Sequence, residues 1–266
     1  MNTIVRSSVV HVFILALVLG LSLTACSPKD EGAAQDAERQ ARLDELAQQQ
    51  QDVQAARDEL ADLKERLLQA QAGSLPEGEA ADATELATRI EQKDAQITTM
   101  AEDLNQALVD FINADPPVEG EPIDPLVQRA FALKADEDIA LAEEYITEGG
   151  DYARAVGIYE DILAFDPSNA GAQQALAEAQ DMRYMTEERF AQVKKDMTQG
   201  EVEKVLGPAN LRNRRQYPQD NASAWYYPKN EAGDAAAVWF RKKGDAWIVY
   251  KVDFNAVAAA KDEPSA

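Results

Sequence analysis

Among its 266 residues the chain has one cysteine, Cys26, and one histidine, His11. Thiolate and imidazole are the side chains that most readily bind zinc, attack a carbonyl or move a proton near neutral pH. Here both lie at the start of the chain. Arg6 supplies the one early positive charge, and Val9 to Leu23 is apolar apart from His11, Gly20 and Ser22. The small residues Thr24 and Ala25 then precede Cys26. A basic start, an apolar core too short for a comfortable span and small residues before a cut are the layout of a secretory signal peptide. Its removal takes His11 away, and with it His general-base chemistry and every Ser-His or Cys-His arrangement. What remains for catalysis is a carboxylate pair, a lysine or a tyrosine. With 48 Asp and Glu in the chain, two close together carry little information. The chain reads as a non-enzyme, with no catalytic residue, no cofactor and no metal.

Leu23-Thr24-Ala25-Cys26 resembles the bacterial lipobox. The resemblance implies that the Cys26 thiol receives a diacylglyceryl group, that the chain is cut before it, and that the new amino group is acylated. The mature protein then has no free thiol, so disulfides and Cys/His zinc sites are excluded. Each buried acyl methylene contributes roughly 0.8 kcal/mol, and more than one chain makes release from the bilayer negligible. Ser27 rather than Asp follows the cysteine. By the sorting rule of enteric bacteria this implies the outer membrane, on its periplasmic face.

Charge bounds the other partners. From Cys26 to Met185 there are 36 acids against 12 bases, a net of −24. From Thr186 to Ala266 there are 12 acids against 13 bases, a net of +1. The acidic part repels nucleic acid and anionic lipid, so nucleic acid is not an expected partner. Envelope proteins are.

The elements that position these charges follow from periodicity. The expected organisation is a signal peptide (1–25), a tether (26–34), a coiled-coil helical region (35–113), a Pro-rich linker (114–123), a helical domain (124–185), an α+β domain (186–258) and a tail (259–266). A helix is predicted over 35–72. Leu46, Val53, Leu60 and Leu67 recur every seven residues, with Gln49, Ala56, Leu63 and Ala70 three further on. That is an a/d seam held over about four heptads. Gly73 to Gly78 breaks the helix. A second predicted helix, 84–112, repeats Ile90, Ile97, Leu104 and Phe111 beside Leu86, Lys93, Met100 and Ala107. Neither helix buries its stripe alone. An antiparallel hairpin and a parallel oligomer through the coiled coil both satisfy the pattern. A tract of about 38 residues would span roughly 57 Å.

Prolines at 116, 117 and 122 end the second helix, and Asp124 with Pro125 reads as the cap and first turn of the next. Apolar spacing through Ile139, Ala142, Tyr145 and Ile146 then predicts one helix. After Gly149-Gly150-Asp151, Tyr152, Ala155, Tyr159, Ile162 and Leu163 predict another, which stops at Asp166-Pro167. Gly149, Tyr152, Ala155, Tyr159 and Pro167 resemble a tetratricopeptide repeat over about Asp136 to Asn169, with Glu143 departing from the small residue of that pattern. Leu126 to Leu133 and Ala170 to Arg183 read as flanking helices. The Asp136-Glu137-Asp138 cluster lacks calcium-loop spacing and reads as charge at a helix start.

The last segment changes period. A helix is predicted over 187–195 with Phe190 and Val193 inward. A second follows, with Thr198 and Glu201 as a capping box and Gly207-Pro208 as its stop. Three strands are predicted: 224–227, 236–240 and 246–254, the last two joined by a turn at Lys243-Gly244-Asp245. Met197, Thr198, Val202, Leu206, Gly207, Trp225, Tyr226 and Phe240 resemble the SmpA/OmlA (BamE-like) small-lipoprotein domain, with Asp196 in place of a glycine. That resemblance implies binding to other envelope proteins. Arg212, Arg214 and Arg215, in the loop before the first strand, are candidates to grip an acidic partner or a phosphate, or are simply solvated. Trp225 and Tyr226 are the aromatic candidates, although the tryptophans also suit a core.

The fold class expected is mainly α: a coiled-coil helical hairpin and tetratricopeptide-like helices, then a small α+β domain with a three-stranded antiparallel sheet. The expected role is a scaffold or adaptor in envelope biogenesis, in outer-membrane β-barrel protein assembly. The alternative is a periplasmic coordinator of wall synthesis or membrane constriction.

Overall fold

A computed structural model describes residues 28–72, 82–118, 120–244 and 246–259. Among them the chain is mainly helical and ends in a four-stranded antiparallel sheet. The expected signal peptide, Cys26, the break at 73–78 and the last seven residues lie outside the described residues. Residues 1–41 and 42–266 form separate compact units. Of the first, the described part is helical and mostly exposed.

Helix α1 spans Pro28–Gln71 and α2 spans Ala83–Ala114. The start of α1 corrects the expected tether at 26–34. Proline is tolerated in a first turn, and nothing after Pro28 stops the helix. The heptad stripe of α1 is buried at Leu46, Val53, Ala56, Leu60 and Leu63, and Leu43 extends it. Its partners show antiparallel packing with α2. Leu43 and Leu46 share a core with Leu104, Leu108 and Ile112, Ala56 and Leu60 share one with Ile97, and Lys93 Nζ meets Glu59 at 2.7 Å.

The seam does not close on two helices. α3, Pro125–Thr147, contributes Val127 and Ala130 to the same core. Gln50 donates to the Leu133 carbonyl at 3.1 Å, Arg129 pairs with Asp44 at 2.7 Å, and Lys64 pairs with Glu148 at 2.8 Å. Rising numbers on both sides mean that α3 runs parallel to α1 and antiparallel to α2. The chain therefore reverses between α2 and α3 inside one packed body, and the two helices share a core rather than belonging to separate ones.

α3 is continuous, capped at Asp124 whose carboxylate accepts from the Leu126 and Val127 amides. Leu126 to Leu133 is thus not a separate flanking helix. Asp136, Glu137 and Asp138 stand in mid-helix, not at its start. Glu137 is 6% exposed and accepts from Arg57 of α1, 2.9 Å to Oε2 and 3.4 Å to Oε1. The C-terminal half of α3 packs on α4, Tyr152–Phe165, and α5, Ala170–Arg183. Ala142, Ala155, Tyr159, Ala172 and Ala179 form that core, where small residues let the helices approach closely.

The predicted helix at 187–195 is only one turn, α6, Glu187–Phe190. Phe190 and Val193 are nevertheless buried. The chain leaves the helix to reach the sheet. Asp196 takes φ 70°, its amide donates to the Val249 carbonyl, and the Val249 amide donates to Met197. α7, Gln199–Leu206, has the full capping box between Thr198 and Glu201. The sheet order is β1 (Arg214–Tyr217), β2 (Ala222–Pro228), β3 (Ala235–Lys243), β4 (Ala246–Val257).

β1 corrects the three-strand expectation. Its four residues, Arg-Arg-Gln-Tyr, have no apolar alternation, and they are held by pairing Arg214 with Trp225 and Tyr217 with Ala222. Phe190, Val202, Leu206, Trp225, Tyr227, Val238, Phe240 and Val249 make the core on one face.

Candidate binding face on the C-terminal sheet

Side chains alternate across a strand, so register decides which predicted site residues meet. Arg214 and Trp225 are opposite one another and point toward the helices. Trp225 is 3% exposed and packs against Phe240, with ring centroids 4.7 Å apart. Arg214 is fully engaged. Its Nε donates to the Ala209 carbonyl at 3.0 Å, its Nη2 to Glu203 Oε1 at 3.1 Å, and its guanidinium lies 4.6 Å from the Trp225 ring. This pair holds β1 and the α7 end together and is not free for a partner. Arg212 lies in a 3₁₀ turn, Leu211–Asn213, and is exposed. The supposed loop is therefore a turn followed by a strand.

Arg215 and Tyr226 fall on the other face. Among the described residues that face carries no buried cluster of helix residues, and it gathers aromatic rings and cations. Tyr217 and Tyr226 bring their hydroxyls within 3.3 Å. Tyr226 packs edge-on to Trp239 at 6.3 Å. The Lys251 ammonium lies 4.2 Å from the Trp239 ring, and the Arg241 guanidinium 4.5 Å from the Tyr250 ring. Such contacts are worth about 0.5–1 kcal/mol each at exposed sites.

Ala222, Ala224 and Ala237 form the floor and are buried, since the long side chains around them close over the methyl groups. The hydrogen bond shared with Tyr217 raises the Tyr226 phenol to about 12. The Tyr226 hydroxyl thus stays protonated and able to donate across the physiological range. A groove of about 480 Å³ opens beside Arg215, Tyr217, Tyr226, Pro228, Ala235 and Val257.

Sequence reasoning missed Trp239, Arg241, Tyr250 and Lys251 as members of one face. The clean alternation in 246–254 marked β4. However, β4 shifts register against β3 between Trp239 and Phe240. That irregularity brings Tyr250 beside Arg241, and no local pattern announces it.

The face is held firmly to the helical body. The Leu211 amide donates to the Gly149 carbonyl at 3.0 Å, and the Met185 amide to the Pro228 carbonyl at 2.7 Å. Gly150, at φ 61°, lies so close that a Cβ there would come within 2.6 Å of Pro208 O and the Ala209 backbone. Tyr227 is buried at the same junction, its hydroxyl reaching the Gly207 carbonyl at 3.4 Å, and burial pushes its phenol up.

Among the described residues no group of three or more His, Cys, Asp or Glu is placed to hold a metal ion, and no helix is long and apolar enough to cross a membrane. Comparison with known protein families, curated proteins and solved structures finds no match to this chain.

Proposed function

We propose that this chain is a lipid-anchored, non-catalytic adaptor of the bacterial envelope, acting in outer-membrane β-barrel protein assembly and binding its partner through the open face of the C-terminal sheet. The observation that carries the reading is that face: aromatic rings and cations on strands docked rigidly to an acidic helical body. A face of this kind offers contact area with few rotamers to freeze, and cations to set orientation. The anchor rests on Leu23 to Cys26 and its lipobox resemblance. In finer terms, α1 and α2 read as a coiled-coil hairpin completed by α3, α3 to α5 as a tetratricopeptide-like unit, and α6 to β4 as a BamE-like domain.

The test is co-purification of the full chain from detergent-solubilised membranes, beside a Cys26→Ser variant. Recovery of barrel-assembly proteins with wild type, and a soluble variant that recovers none, is the expected result. A second reading, coordination of wall synthesis or constriction, draws on a different surface. Phe131 of α3 and Phe165 of α4 stack with centroids 3.6 Å apart, beside Ile123 and a groove of about 550 Å³. Recovery of wall synthases instead, lost on Phe165→Glu, would favour it. Phe165 is 42% exposed, so that change tests binding rather than folding.

A further inference from the structure

The chain holds 48 acids against 26 bases. In the helical body Arg42, Arg57, Lys64, Lys93, Arg129 and Lys134 each meet a carboxylate within 4.0 Å, while among the described residues Arg89 does not and Arg154 lies over the Tyr145 ring instead. The sheet is poorer in such pairs. Among the described residues Arg212 and Arg241 pair with no carboxylate. Arg215 donates to the Arg212 and Arg214 carbonyls, and Lys251 pairs with Asp253 at 3.9 Å. Arg241 and Lys251 are held over rings, which fixes their position, and the Arg241 charge is left uncancelled.

From this juxtaposition we infer that the open face of the β1–β4 sheet is the docking site for a carboxylate-rich polypeptide segment of another protein, whose acidic side chains meet Arg215, Arg241 and Lys251 and whose apolar side chains lie on Tyr226 and Trp239. The inference deepens the adaptor reading by naming the partner's chemistry. Charge complementarity selects an acid. The ring-covered alanine floor selects a partner that also carries apolar groups, and a recessed groove lined by both Arg215 and Asp234 suits a chain segment better than a flat bilayer. The surrounding acidity sharpens the choice. The acidic helical body repels a carboxylate-rich segment, so a binding register is favoured by what it avoids as well as by what it meets.

The experiment is fluorescence anisotropy of the purified full chain with a labelled peptide alternating Glu and Leu, and with its Gln counterpart. The Glu peptide is expected to bind and to weaken as salt rises, while the Gln peptide binds at least about tenfold more weakly. Arg241→Glu with Lys251→Glu removes binding. Arg241→Lys keeps it, and Arg89→Glu, a charge reversal on exposed α2, leaves it unchanged. Near-ultraviolet circular dichroism confirms that the tryptophan environment survives each change.

Equal binding of the two peptides overturns the inference, as does an equal loss on Arg89→Glu. Binding only to phosphatidylglycerol vesicles would assign the face to lipid. A salt-sensitive self-association dissolved by Arg241→Glu would assign it to a second copy. The anisotropy needs no lipid anchor. Failure of the membrane co-purification therefore leaves it readable, and its own failure leaves the anchor untouched.

Discussion

Glu137 shows how a single residue's role depends on its element. In a row of three acids it looks like solvated charge, yet it is buried between α1 and α3 and satisfied by Arg57 at two oxygens. Removing one partner of such a pair strands the other charge, which costs more than the pair contributes. Arg57→Ala is expected to lower stability by about 3 kcal/mol, read as a lower urea midpoint at unchanged slope. The double change Arg57→Met with Glu137→Leu should recover most of it.

At the α7 cap the sign of a pH effect can be worked out. The backbone amide and hydroxyl of Thr198 donate to Glu201 and hold its carboxyl below the usual range. A folded value below the unfolded one means stability that is complete above the ordinary glutamate pKa and lost as pH falls through the lowered value. Glu201→Gln should flatten that acid limb of the melting-temperature profile, and Thr198→Ala should cost about 1 kcal/mol at neutral pH.

Two glycines separate backbone need from mere presence at the scale of the element. Gly150 ends the α3–α4 turn in the left-handed region against Pro208 and Ala209. Gly157 sits inside α4 with nothing within 4 Å of a Cβ. Gly150→Ala is expected to cost about 2 kcal/mol or more, because alanine is strained there and the junction must move. Gly157→Ala is expected to add about 0.5–1 kcal/mol, by restricting the unfolded chain and favouring the helix. Thermal melts of the two variants, shifted in opposite directions, check both. The helices were legible because apolar period and caps are local. Asp124 and Thr198 cap where the sequence placed them, and Asp151 and Asn169 cap α4 and α5 as well. The shortened α6 was not, because its end is decided by β4 far along the chain, and strand β1 was not, because Arg-Arg-Gln-Tyr shows no apolar alternation and is held only by its pairing with β2.

Over the whole molecule, α3 shares its faces between the α1–α2 core and the α4–α5 core, and the Gly149–Leu211 and Met185–Pro228 hydrogen bonds tie the sheet to α3–α5. Cores linked this way should unfold together. All three tryptophans lie in the C-terminal domain, so their fluorescence reports the sheet while far-ultraviolet circular dichroism reports the helices. Coincident denaturant midpoints are expected, and separated ones would show independent domains.

What the residues alone determine here is the inventory. It comprises one thiol and one imidazole, both near the start, an acidic stretch followed by a near-neutral one, heptads, caps, and the presence of a strand-forming end. Those are properties of composition and of contacts a few residues apart. Which helix completes the α1–α2 seam, that Arg214 is consumed in packing while Arg215 faces out, and that Arg241 and Lys251 join Tyr226 on one surface were decided only in three dimensions. A side chain's face depends on strand register, and register is set by pairing between distant segments, where a shift of one residue sends every side chain to the opposite side.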